Sequence, residues 1–177
     1  MSKFASVSLI SILASLAMTS AHAEGEGRFN AGINVIEESD INLTSLVVRY
    51  NRTLSSNAGF DLGVEGELSY GIVGDEVSVN TVDVDVDAEL GGGVFATAAY
   101  PFTDKGSNVF VRLGYGYQEI EAGVGGVSVA DEVDGFAYGV GANFMATENH
   151  GFRLDFLRID GDDGEGDIFS GAYVFRH

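Results

Sequence analysis

The sequence predicts an all-β fold, an eight-stranded antiparallel up-and-down transmembrane β-barrel, on three observations. After a short leader the chain consists of eight segments that alternate apolar and polar residues. The connections between these segments alternate compact and long, and acidic residues crowd at one end of the strands. Successive strand side chains point to opposite faces, so alternation gives each segment one greasy and one polar face. In a transmembrane barrel the greasy face meets lipid and the polar face lines the interior.

The leader carries one positive charge at Lys3, an apolar stretch from about Phe4 to Met18, and a small-x-small ending at Ala21, His22 and Ala23. This pattern is that of a secretory signal peptide cleaved after Ala23, which leaves residues 24–177 as the barrel domain. Cysteine is absent, so thiol and disulfide chemistry are excluded. The formal charge of −18 grows by one more negative unit when Lys3 leaves. Such acidity excludes nucleic acid as a partner and suits a cationic or basic protein ligand.

In chain order, the first strand is expected at about 28–37. The second, at about 42–53, points Leu46, Val48 and Tyr50 outward and places Arg49 inside with Val47 and Asn51. The third, at about 58–72, sets Phe60, Leu62, Val64, Leu68, Tyr70 and Ile72 against Asp61, Gly63, Glu65, Glu67, Ser69 and Gly71. The fourth, at about 82–101, opens by alternating Val with Asp, and the even parity of its apolar residues continues to Ala98. As one strand of about 17 residues it would run roughly 55 Å, whereas a span needs only ~9–11 residues. The excess is expected to project as a ribbon with Asp83, Asp85, Asp87 and Glu89 on one face.

The fifth strand, at about 108–119, has the clearest alternation: Val109, Val111, Leu113, Tyr115 and Tyr117 on one parity and Phe110, Arg112, Gly114, Gly116 and Gln118 on the other. The sixth, at about 133–146, sends Phe136, Tyr138, Val140, Ala142 and Phe144 outward. The seventh, at about 151–159, sends Phe152, Leu154 and Phe156 out, with Arg153 and Asp155 in. Its end breaks the pattern, since Leu157 and Ile159 take the inward parity and Arg158 the outward one; either the strand has cleared the membrane there or it carries a bulge. The eighth is expected at about 167–177.

The connections 54–57, 102–107 and 147–150 are compact, whereas most of the others, including 73–81, 120–132 and 160–166, are longer or strongly acidic. Single-chain barrels of the outer membrane have short periplasmic turns and longer external loops, which puts both termini on the periplasmic side and the acid outside. The inward charges collect as Arg49, Arg112 and Arg153 against Asp61, Glu65, Glu67 and Asp155. Isolated buried charges are costly, so these groups are expected to pair or to keep water. Eight strands enclose a lumen just wide enough to be filled by side chains, which predicts a plugged barrel. Tyr50, Tyr70, Tyr100 and Tyr117, near strand ends, suit the aromatic girdles of a membrane barrel.

Two stretches carry a family resemblance. One runs from Ala99 through Pro101 and Phe102, a polar turn, and Val109 to Tyr115; the other is the C-terminal segment Gly171 to His177. With the alternation they make the chain resemble the small eight-stranded outer-membrane β-barrel proteins of Gram-negative bacteria, of the OmpA membrane-domain, OmpX/Ail and opacity types. The resemblance implies an outer-membrane location, lipid as surroundings, a monomer, and recognition by the barrel assembly machinery through a C-terminal aromatic-x-aromatic signal. Tyr173, Phe175 and His177 occupy that signal, with His177 where Phe is usual.

Barrel hydrolases of the outer leaflet use His with Ser and a carboxylate near the external rim. Here His22 leaves with the leader, His150 falls in a periplasmic turn and His177 ends the chain, so that chemistry is not expected. No cofactor is expected, although Asp83, Asp85, Asp87 and Glu89, with Asp160, Asp162, Asp163 and Glu165, offer the oxygen ligands that Ca²⁺ or Mg²⁺ prefers. The alternative at both clusters is a solvated acidic surface. The function expected is a non-enzymatic envelope protein, structural or binding at the cell surface through its acidic external end. A narrow small-ion channel and a soluble lipocalin-like binding barrel are the alternatives.

Overall fold

A computed structural model describes residues 26–38, 41–79, 82–124, 127–161 and 165–177. The leader 1–23, Asp40, Asp162 and Asp163 lie outside the described residues. Nine strands are present among those described: β1 (Gly27–Glu38), β2 (Ile41–Asn57), β3 (Phe60–Val73), β4 (Asp75–Val79), β5 (Val82–Pro101), β6 (Asn108–Val124), β7 (Val127–Met145), β8 (His150–Gly161) and β9 (Glu165–Arg176). Eight of them form the barrel. Each is antiparallel to its neighbours, β3 pairs directly with β5, and β9 closes onto β1. Among the described residues strand β4 pairs with β5 alone, opposite Val82 to Val86.

The faces are those of a membrane barrel. On β6, Val111 and Leu113 are 48% and 52% exposed, while Arg112 between them is 0% exposed. A soluble barrel would reverse these values, because it buries its apolar face. Phe29, Ile33, Leu46, Val48, Val140, Leu154 and Phe169 continue the exposed apolar belt around the ring. Tyr70, Tyr115 and Tyr138 edge the belt towards the end away from the termini, the end expected to be external, and Tyr100 and Tyr173 edge it at the other. Tyr117, expected in this girdle, is instead buried and donates to Glu119.

The turns on the terminal side are compact. Ala58 and Gly59 link β2 to β3 with φ of 53° and 83°, both left-handed, as a two-residue hairpin turn requires. The turn therefore falls two to four residues later than the Ser- and Asn-rich sequence suggested. At the external end the expected long loops are largely strand. Segment 73–81 contains β4, and 120–132 is the end of a β6–β7 hairpin that stays in register to Val124 opposite Val127. Acidic composition suggested loop, but the period-two pattern persists through it, and hydrogen bonding follows the pattern.

Strand β5 does run on past the barrel, but its faces invert. Two residues, Glu89 and Leu90, stand opposite Glu119 alone in a bulge between Ala88 and Gly91. Consequently Val86 and Ala88 point inward, Asp85 and Asp87 outward, while Ala96 and Tyr100 of the same even parity as Val86 point outward. The bulge is packed against β3 by Gly71, where a Cβ would overlap the Ala88 carbonyl oxygen. Only glycine permits that approach.

Candidate functional site

The lumen is stacked in layers. In its middle, β2, β3, β6 and β8 bring together three guanidinium groups and three carboxylates, all buried. Arg112 is central: it donates to Glu67 at 2.6 Å, Glu65 at 3.1 Å and Asp155 at 2.5 Å. Arg49 donates from Nε to Glu67 at 2.5 Å and from Nη2 to Asn34 and Ser170 at 3.0 and 2.8 Å. Arg153 forks across both Glu65 oxygens at 2.6 and 3.0 Å and reaches Asp155 at 2.8 Å. Two rings cap the guanidinium groups, Phe95 at 4.8 Å from Arg112 and Phe110 at 4.2 Å from Arg153.

With three positive and three negative groups the cluster is formally neutral. That balance matters because each buried ion costs several kcal/mol to desolvate and only close, hydrogen-bonded partners repay it. Asn34, Ser170, Phe95 and Phe110 complete the cluster, and sequence reasoning did not single them out. Asn34 and Ser170 face each other across the β1–β9 seam, a pairing that alternation alone does not reveal. Asp61, grouped with these charges from its parity, is not among their partners. It lies nearer the terminal end and accepts from Ser56 at 2.6 Å.

Above the charges the lumen is apolar. Ile36, Leu43, Val86, Ala88, Ala137, Leu157, Ile159 and Ile168 form one buried cluster, with Val84, Ile120 and Val133 packed against it. Strand β8 keeps unbroken register with both neighbours, so no bulge explains its anomalous end. Instead the chemistry of its faces inverts at constant parity. On the inner face Arg153 and Asp155 are followed by Leu157 and Ile159. On the outer face Phe152, Leu154 and Phe156 are followed by Arg158 and Asp160. Arg158 pairs outside with Asp167 at 2.6 Å and with Glu165 at 3.7 Å. Below the charges is a polar cavity of about 20 Å³ lined by Asn30, Asn51, Thr97, Asn108 and Asn143 among others.

At the external end, Asp85, Asp87, Glu132 and Asp160 are exposed. Glu89 sits in the β5 bulge, and the side chain of Asp83 lies outside the described residues. Among the described residues no group of three or more His, Cys, Asp or Glu side chains is placed to hold a metal ion. At the other end the C-terminal segment closes the barrel. The His177 amide donates to Gly27 at 3.1 Å, its ring stacks on Tyr50 and Phe175, and Tyr173 and Phe175 face outward. His150 contacts Tyr173 and Phe175 on the same rim, far from the external acids.

Solved structures share this architecture. Ail, the attachment invasion locus protein of Yersinia pestis, is 18% identical with a TM-score of 0.62, over 88% of this chain and 100% of that one. OprG of Pseudomonas aeruginosa is 12% identical with a TM-score of 0.63, over 88% and 97%. The N-terminal β-barrel domain of Pseudomonas aeruginosa OprF is 15% identical with a TM-score of 0.57, over 87% and 100%. A search of curated proteins finds no match to this chain. The family described as the outer membrane protein beta-barrel domain matches residues 8–176. With its apolar belt outside and its charges inside, the chain belongs to that family, and its place is the outer membrane.

Proposed function

We propose that this protein is a non-enzymatic, closed barrel that presents an acidic β-sheet at the cell surface as a docking face for basic protein segments. The observation that carries this reading is the sheet formed by β4 to β7 beyond the barrel ring. There β6 and β7 stay paired to Val124 and Val127, whereas β8 leaves β7 at Gly135. Among the described residues, β7 from Val127 to Asp134 therefore pairs on one side only. An unpaired edge is a template for an added strand, and acidic neighbours favour a basic one.

The name of Ail supports an attachment role for this architecture. Another solved structure holds Ail in complex with the heparin analogue sucrose octasulfate, a polyanion. The external end of this chain has the wrong sign for such a ligand, so the partner proposed here is cationic. Both the neutral charge cluster and the apolar layer above it oppose ion passage, which makes a closed lumen the favoured state and the small-ion channel the weaker reading.

In lipid nanodiscs the barrel is expected to bind an extended peptide alternating Lys and Val, and not its Glu counterpart, with affinity that falls as salt rises. Replacing 75–85 and 121–131 by two-residue turns should leave a folded barrel and abolish that binding. Undiminished binding by the shortened protein would contradict the docking face. Planar bilayers containing the wild type should stay silent, and steady cation-selective steps would contradict the closed lumen.

A further inference from the structure

Of the five buried side-chain atoms that meet no partner among the described residues, four carry hydrogen and one, the Oδ1 of Asn30, can only accept. Asn30 is 1% exposed, so bulk water does not serve it. It alone among the five residues lines the polar cavity of about 20 Å³ below the charges. A buried carbonyl without a donor is costly and rare.

The cavity wall has acceptors to spare. Asn51 donates its amide nitrogen to Thr97 at 3.1 Å and Asn143 donates to Asn108 at 2.9 Å, and each keeps its carbonyl oxygen as an acceptor. The two arginines on the wall are engaged with carboxylates, Arg28 with Glu26, and Arg153 with Glu65 and Asp155. Asn30 therefore needs a donor from outside the chain. Charge and size select it: Arg28 and Arg153 balance Asp61 and Glu65 on the wall, which favours a neutral guest, and about 20 Å³ holds one water. Towards the terminal end the lining residues Thr53 and Asp61 are only half-buried, so that side is the way in.

We propose that this cavity is a binding site for one ordered water, which donates to Asn30 Oδ1 and to a neighbouring amide oxygen. It carries solvent from the terminal end as far as Arg153 and Glu65. Beyond the charges the apolar layer stays dry, so the lumen is wetted from one side only.

Hydroxyl-radical footprinting of the whole barrel in lipid nanodiscs tests this, because radiolysis of a bound water oxidises the ring beside it. Two buried rings serve as probe and control: Phe110 lines the cavity, and Phe95 belongs to the apolar cluster. They are 6% and 2% exposed. Phe110 should be oxidised several-fold faster than Phe95. Asn30→Leu, close in volume but without the acceptor, should bring Phe110 down to the rate of Phe95 and lower the folding equilibrium constant about fivefold, the effect of one hydrogen bond. A dry cavity predicts the opposite sign, since Leu relieves an unpaired carbonyl. Equal rates at the two rings in the wild type, both slow or both fast, or an Asn30→Leu barrel more stable than the wild type would overturn the proposal. So would wild-type stability that rises when sodium replaces choline at constant ionic strength and does not rise in Asn30→Leu, which would assign the site to a small cation.

Discussion

Replacing Arg112 by Met is expected to destabilise the barrel by about 3–5 kcal/mol, the usual cost of removing one partner from a buried ion cluster. Arg112 alone touches all three carboxylates, at Glu65, Glu67 and Asp155. Without it, three negative groups face only Arg49 and Arg153. The measurement is urea unfolding in lipid vesicles, where the midpoint should fall. Adding Glu67→Gln to Arg112→Met restores charge balance and should recover about 1–3 kcal/mol as coupling between neighbours. Arg112→Lys should behave more like the Met variant than like the wild type, since a single ammonium cannot hold three carboxylates in the geometry of a planar fork. A Met variant within about 0.5 kcal/mol of wild type, the range of ordinary surface substitutions, would show that the cluster does not hold the barrel together.

The second large effect separates two leucines three positions apart on β8. Leu157 is 1% exposed within the apolar cluster, and Leu154 is 54% exposed on the belt. Leu157→Ala should cost about 2–5 kcal/mol, because it removes buried methyl groups and leaves a cavity above the charges. Leu154→Ala exchanges a lipid-facing side chain for a smaller apolar one and should cost far less. Equal losses at the two sites, in the same unfolding assay, would contradict the layered lumen.

Much of this was legible in the chain because a strand's period is two. Parity alone places Arg49, Glu65, Glu67, Arg112, Arg153 and Asp155 on the inner face. Which of them touch is a different matter, since the contacts join strands that face each other across the lumen, as Arg153 does with Glu65, 88 residues away. Parity also misplaced Asp61, because facing inward says nothing about height along the barrel. The β5 bulge was invisible for a related reason: Val86 and Ala96 share a parity, and only the extra residue opposite Glu119 puts them on opposite faces. The acidic stretches 73–81 and 120–132 read as connections, yet strand pairing runs through much of them as β4 and the β6–β7 hairpin. Leu157 and Ile159 were the most informative exceptions. They mark where an apolar belt around a polar lumen gives way to an acidic surface around an apolar core.

That inversion is the central claim, and nitroxide scanning of residues 152–160 in lipid vesicles tests it most directly. Labels at Phe152, Leu154 and Phe156 should be accessible to oxygen, which concentrates in lipid, and shielded from a water-soluble nickel complex. Labels at Arg158 and Asp160 should show the reverse, and Leu157 and Ile159 should be shielded from both reagents. Oxygen-rich, nickel-poor labels at Arg158 and Asp160, or nickel reaching Leu157 and Ile159, would contradict it.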